Sequence, residues 1–371
     1  MLDMADFSLF EEEISKIYAE LETNLLAYVV HMIQTGDLPA DPNTWAVRKL
    51  DHMMNLRGQL RREISRLVQG STADLEKEVE RMVRLSAGED NQYFRDIARF
   101  ATSSVADGIR TASESEIARR VRAIMRNCRE SINLTGTSAL EAAISTYRDA
   151  INSAYVSVLE GTQSLDTAIR KACRQIGSSG LKLTYISENG NPSTISLDAG
   201  IRRNIVTSVN QATAEYTMED CAQNGCDLVQ TSAHAGARPS HQVWQGKVFS
   251  ISGNSKKYGK LETETGYGTA GGLCGINCKH SFFPYYEGMQ KTDWHIDLTP
   301  RQNEGLYDDI QKQRSYEARI RSWKRRQVLA KDTGDVAEYA KATAYLKATR
   351  KELRGFLENT GLPRRLNREQ I

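Results

Sequence analysis

Apolar residues recur at three- and four-residue intervals over most of this chain. In the first stretch Phe10, Ile14, Ile17, Tyr18, Leu21, Leu25, Val29 and Ile33 share one helical face, which predicts a helix over 5–35. Gly36 and Pro39 end it. A second helix runs from an Asn43 cap to about Val68, with Val47, Leu50, Met53, Met54, Leu60, Ile64 and Leu67 on one side. Gly70 reads as its stop, and Thr72 or Asp74 as the cap of a third helix reaching Leu85. Helical pattern continues over 90–130 and 137–160, the latter opened by Ser138 and Glu141 at capping-box spacing. This part of the chain carries almost no strand signal. A helical bundle or a set of helix hairpins accounts for it, and a partner-binding arm is the functional alternative.

The pattern changes after Gly161. Ser164–Ile176 reads as a short helix stopped by the GSSG at 177–180. Residues 181–187 alternate apolar and polar as a half-buried strand does, and 193–197 form its return partner. Between them Asn189-Gly190 is a hairpin turn signal. Asp198 then caps a helix reaching Cys221, and 227–231 reads as a further strand. From Thr231 to Gly288 the apolar period vanishes and glycine, histidine and cysteine crowd together. Helical pattern returns at Pro300, runs to Lys331, and resumes over 335–358, after which Gly361 and Pro363 stop it. The final RRLNREQI is expected to fray. The fold class is therefore α+β and predominantly helical: a helical region over 1–160, a small loop-rich α+β domain over 161–298, and a basic helical segment over 299–371.

Composition adds charge asymmetry. The net charge of +2 implies no nucleic-acid partner for the chain as a whole. Residues 1–37, however, hold eight acidic side chains against one lysine, and 300–371 hold seventeen Lys or Arg against ten Asp or Glu. Such ends are expected to face different partners. The acidic N-terminus does not read as a signal peptide, and no apolar run of about eighteen residues exists to span a membrane. Six cysteines in 371 residues do not make a disulfide scaffold, so a reducing cytoplasm, or a particle assembled there, is the expected compartment.

The crowded stretch admits several chemistries. Cys221, Cys226, His234, His241, Cys274, Cys278 and His280 are zinc-ligand types, with Cys274, Cys278, His241 and His280 the candidate set. The pairs Cys221/Cys226 and Cys274/Cys278 have chelate spacing but lie about fifty residues apart, and buried thiols beside a loop-bracing histidine explain them better. A nucleophilic Cys278 with His241 or His280 lacks an identifiable orienting group. Gly266, Gly268, Gly271, Gly272 and Gly275 suggest a phosphate cradle, but no GK[ST] follows, and turn geometry explains them better. Arg319, Arg321, Lys324, Arg325 and Arg326, with Tyr316 and Trp323 interleaved, are either a solvated face or a contact to DNA phosphates.

Taken together, T-x2-H-x2-ARPSH-x2-WQGKVFS, then TGYG, then GLCG-x-NC-x-HSF-x-P resemble the phage minor capsid proteins of the Mu F-like head-morphogenesis superfamily. The upstream SLDTAIRKA and the segment from GLKLTYISENGNPSTISLDAG to NQATAEY agree, so the resemblance covers about 160–290 closely and the N-terminal half loosely. Its signature positions fall on Thr231, Arg238, Pro239, His241, Trp244, Gly246, Phe249, Asn277, Cys278 and His280. Lys279 stands where similar proteins usually carry arginine. The resemblance implies a structural protein of a tailed-phage head, located in the virion and assembled in the bacterial cytoplasm. It implies portal protein and major capsid protein as partners, contact with packaged double-stranded DNA as an option, and roles in head assembly, packaging or delivery. It implies no catalytic activity and no cofactor, zinc remaining the alternative.

Overall fold

The computed structural model describes residues 4–35, 42–100, 109–160, 162–186, 190–288 and 296–371. In chain order these form α1 (Met4–Thr35), α2 (Pro42–Phe100), α3 (Glu114–Leu159), α4 (Leu165–Ser179), β1 (Lys182–Ile186), β2 (Pro192–Ser196), α5 (Leu197–Gln223), β3 (Leu228–Thr231), β4 (Val248–Ser250), α6 (Leu261–Thr265), β5 (Phe282–Tyr285), α7 (Pro300–Asp332) and α8 (Val336–Thr360). The fold is predominantly helical α+β, as the periodicity implies. Among the described residues no helix is long and apolar enough to cross a membrane.

Three expected interruptions do not exist, the gap between Leu85 and residue 90 among them, since α2 spans it. α2 runs through Gly70, so Thr72 and Asp74 lie inside it rather than at a helix start. Glycine costs a helix about 1 kcal/mol relative to alanine; the buried stripe of Leu75, Val79, Met82 and Val83 that follows outweighs that cost. α3 likewise runs through the expected break between 130 and 137. Ser138 does not cap: its Oγ donates to the Leu134 carbonyl at 3.1 Å, a bond available only inside a helix. A real break falls elsewhere, because 109–113 are not helical; the intervening 101–108, together with Gly36, Pro39 and Asn189, lie outside the described residues. Asn43 and Asp198 sit within the first turns of α2 and α5 rather than ahead of them. Ser164 does cap α4, accepting from the Thr167 amide.

The chain forms two compact units, each assembled from three separated stretches. The first comprises residues 1–13, 74–131 and 202–310. Its sheet has the order β4-β3-β5, antiparallel throughout, with Val229 opposite Phe249 on one side and Pro284 on the other. β5 is an edge, which is why it tolerates a proline. The sheet's core joins Phe94, Val229, Trp244, Phe249, Leu273, Cys274, Cys278 and Phe282. Two polar links tie α5 to neighbouring helices. Arg120 on α3 reaches both oxygens of Asp220 at 2.9 and 2.5 Å, fully inside the unit. Thr217 donates to the buried Asp90 of α2 at 2.8 Å.

The second unit comprises residues 14–73, 132–201 and 311–371. β1 and β2 form the expected antiparallel hairpin, Leu183 facing Ile195. α7 and α8 pack through Ile320, Leu346 and Leu353, and Trp323 stacks on Tyr345 with centroids 4.6 Å apart. Gly177 lets α4 approach α7 closely, since a Cβ there would lie 3.3 Å from the Arg326 backbone. Asp335 caps α8 and also takes both guanidinium contacts from Arg174, at 2.7 and 3.0 Å. The C-terminal RRLNREQI is not frayed. Arg364 grips Glu369 bidentately, Arg368 and Glu369 are buried, and Arg321 donates to the Arg368 carbonyl.

Two outcomes follow from the buried charges. Arg120→Ala leaves the Asp220 carboxylate inside without a counter-charge and is expected to cost about 3–5 kcal/mol, with the Arg120→Met/Asp220→Leu pair costing much less; urea titration of the three proteins measures this. Burial pushes the Asp90 carboxyl up to about 6 from an ordinary 3.8. A raised carboxyl favours the folded state fully below its unfolded value, and that benefit is lost as pH rises through the folded value. Asp90→Asn removes the penalty, so it is expected to match the wild type near pH 4 and to exceed it by about 3 kcal/mol above pH 7. Denaturation midpoints at the two pH values check this.

Candidate functional site

The segment after β3 turns back on the sheet through short bonded steps. Thr231 places its amide on the Lys247 carbonyl and its hydroxyl on the Trp244 carbonyl at 2.9 Å. Arg238 is extended, as a residue before proline must be. Its guanidinium donates to the Ile276 carbonyl at 3.2 Å. Pro239 opens a short 3-10 turn, Pro239–His241, that carries the His241 ring inward. Gly246 has φ of 71°, which suits glycine, and its carbonyl accepts from Gln230. Phe249 enters the core from β4.

The second segment arrives from the glycine-rich loop. A Cβ on Gly272 would collide with the Gly266 backbone, and one on Gly275 would lie 2.5 Å from the Thr269 and Ala270 carbonyls. These glycines permit backbone to touch backbone. Cys274 and Asn277 take left-handed φ values of 58° and 57°, the second favourable for asparagine. The turn delivers Cys278 and His280 to the same face just ahead of β5. Asn210 of α5 holds them there: its Nδ2 donates to the carbonyls of Cys278 at 3.0 Å and His280 at 3.3 Å.

His241, Cys278 and His280 therefore meet, and they are 2%, 3% and 1% exposed. His241 Nδ1 lies 3.4 Å from His280 Nδ1. Cys278 Sγ lies 3.8 Å from the first and 3.6 Å from the second. The opposite ring nitrogens have fixed partners. His241 Nε2 is 2.9 Å from the Gly271 carbonyl and His280 Nε2 is 3.0 Å from Gln245 Oε1. Trp244 covers the group, its ring 4.7 Å from each imidazole centroid, and His234 stacks on His280 at 4.3 Å. Burial lowers the proton affinity of all three histidines and raises that of the Cys278 thiol.

The other sequence candidates go elsewhere. Cys274 is buried but points its thiol at the His280 carbonyl, 3.6 Å away. Cys226 bonds to the Leu228 and Tyr285 carbonyls. Lys279 donates to Glu11 at 2.6 Å and to Ser8, a point contact for which an ammonium is sufficient. In the second unit Arg325 pairs with Glu22 at 3.0 Å, and Arg326 pairs with Glu338 and lies over Trp323. Arg319 is exposed and meets Glu352, Arg321 reaches the Arg368 carbonyl, and Lys324 reaches Gln370. The acidic and basic ends of the sequence thus partly neutralise each other through Glu22 and Arg325. Asn210, Gln245 and Gly271 belong to the site; they lie within the quoted segments or the glycine cluster, but none was among the signature positions or candidate ligands. Asn210 was visible only as a polar residue on the apolar face of Ile205, Val206 and Val209.

The arrangement is a buried, loop-built centre on a three-stranded sheet within a mainly helical protein, not an open cleft. The family described as phage minor capsid protein 2 matches residues 2–358, and the chain belongs to it. It is 25% identical over 371 residues to a structural protein of Lactococcus phage LL-H, covering 96% of this chain and 98% of that one. It is also 35% identical over 108 residues to a structural protein of Lactococcus phage mv4, covering 29% of this chain and 86% of that one. No solved structure matches.

Trp244→Ala opens a void over both imidazoles and is expected to cost about 3–5 kcal/mol. Denaturant titration followed by far-ultraviolet circular dichroism measures the loss.

Proposed function

We propose that this chain is a structural component of a tailed-phage head, carried in the virion as a minor capsid protein and assembled in the bacterial cytoplasm. Membership of the minor capsid family and relatives described as structural proteins of phages support the reading. One observation carries it: six of the ten signature residues, including both histidines and the cysteine, point inward. Thr231, His241, Trp244, Phe249, Cys278 and His280 are all buried, so their chemistry is directed at holding loops together, and a polymeric or bulky substrate has no approach to them. An enzyme built on Cys278 and the two histidines, a nuclease or transferase, requires the opposite placement.

Portal protein and major capsid protein are the partners in this reading, and assistance to head assembly, DNA packaging or delivery is the role. Within the basic segment, contact with packaged duplex DNA falls first to Arg319, which is exposed although it meets Glu352, whereas Arg325 is buried against Glu22.

Quantitative mass spectrometry of purified virions, with cross-linking, tests the proposal. The chain is expected at a few copies per particle and cross-linked to portal protein. Its absence from intact virions overturns the structural role, and cross-links confined to other components overturn the portal contact.

A further inference from the structure

The partners of His241 and His280 settle which ring nitrogens carry protons. A carbonyl oxygen only accepts, so His241 Nε2, facing the Gly271 carbonyl, bears the hydrogen. Gln245 Oε1 also accepts the backbone amide of His234 at 3.2 Å, which orients that side chain, so His280 Nε2 bears the hydrogen as well. Both Nδ1 atoms therefore present lone pairs, 3.4 Å apart, with the Cys278 sulfur as the third corner. Two lone pairs at that distance repel. A thiol hydrogen on Cys278 relieves one of them, not both, and charging a ring is disfavoured where it is buried.

The spacing has a simpler explanation. Zinc–nitrogen bonds of about 2.05 Å and zinc–sulfur bonds of about 2.3 Å place tetrahedral edges at about 3.4 Å between nitrogens and about 3.6 Å between nitrogen and sulfur. The corresponding separations here are 3.4 Å, and 3.6 and 3.8 Å. The surroundings match a metal site too. Each histidine donates its remote N–H to a carbonyl oxygen, which fixes ring orientation and strengthens the ligating nitrogen. The His280 amide lies 3.4 Å from the Cys278 sulfur and donates to it, a bond that favours a thiolate.

We infer that His241 Nδ1, His280 Nδ1 and Cys278 Sγ form a binding site for a single Zn²⁺ ion, with water as the fourth ligand. One thiolate and two imidazoles suit zinc over the harder Mg²⁺ and Ca²⁺. Binding releases the Cys278 thiol proton to solvent and joins the 3-10 turn after β3 to the turn before β5. The ion clips the intervening loop closed. The inference stands on side-chain geometry and does not depend on the role in the phage head.

The test is elemental analysis of the full chain, produced in zinc-containing medium and gel-filtered without added metal. About one zinc per chain is expected in the wild type and in Cys274→Ala, and less than a tenth of that in His241→Ala and Cys278→Ala. Well under one zinc in the wild type, or full zinc in Cys278→Ala, overturns the site. Loss of zinc from Cys274→Ala overturns the water ligand and makes the site a four-residue one. Should the ligand variants fail to fold, Co²⁺ added to metal-free wild type decides. A thiolate-to-cobalt charge-transfer band with intense tetrahedral visible bands supports the site, and a weak octahedral spectrum overturns it.

Discussion

Burying two imidazoles side by side imposes a strict condition on everything around them. Both rings are shut off from bulk solvent, so every nitrogen needs a partner within the site. The loop carrying Gly271 must bring a carbonyl to His241, and the turn after His241 must bring Gln245 to His280. Gly272 and Gly275 follow from the first requirement, since the loop reaches its place only by laying backbone against backbone. Asn210 follows from another, because the strand entry at 278–280 needs donors for carbonyls that no β-ladder satisfies. The signature is thus a set of interlocking hydrogen-bond demands. Residues distant in sequence are tied to one another through the rings they serve.

The helices were legible because an apolar stripe dictates them, and their limits were less so. Gly70 and the Ser138/Glu141 pair look like punctuation when read locally. In the folded chain, burial of Leu75 and Val79 on one side, and of Ala139, Leu140 and Ala143 on the other, overrides these weak local preferences. The hairpin of β1 and β2 was legible from alternation, whereas β4 and β5 were not. They are three and four residues long and buried on both faces, so no alternation exists to be read. Pro284 in β5 argued against a strand and is accommodated only because that strand is an edge.

The site was half legible. Crowding of His, Cys and Gly marked the right segment, and Cys278 with His241 and His280 was already among the candidate pairs. Cys274 seemed equally eligible by spacing, but its left-handed backbone turns the thiol toward a carbonyl instead. Charge told less than it seemed to. Glu11 and Glu22 from the acidic end, and Arg325 from the basic end, are buried in ion pairs. Composition counts charges along the chain, whereas the fold pairs them across it.

The interleaving of the two compact units bears on how the protein is made. The unit holding Phe7 and Phe10 is completed by residues up to 310, and the unit holding Leu25, Val29 and Ile33 by residues up to 371. During synthesis α1 therefore leaves the ribosome long before the last stretch of either unit. Contacts so far apart in sequence form slowly, and the nascent chain stays adhesive until those later stretches emerge. Neither unit can finish ahead of the other by more than about sixty residues of synthesis, a matter of seconds at ordinary elongation rates. The two units are therefore completed in quick succession, once residues 202–371 have been made.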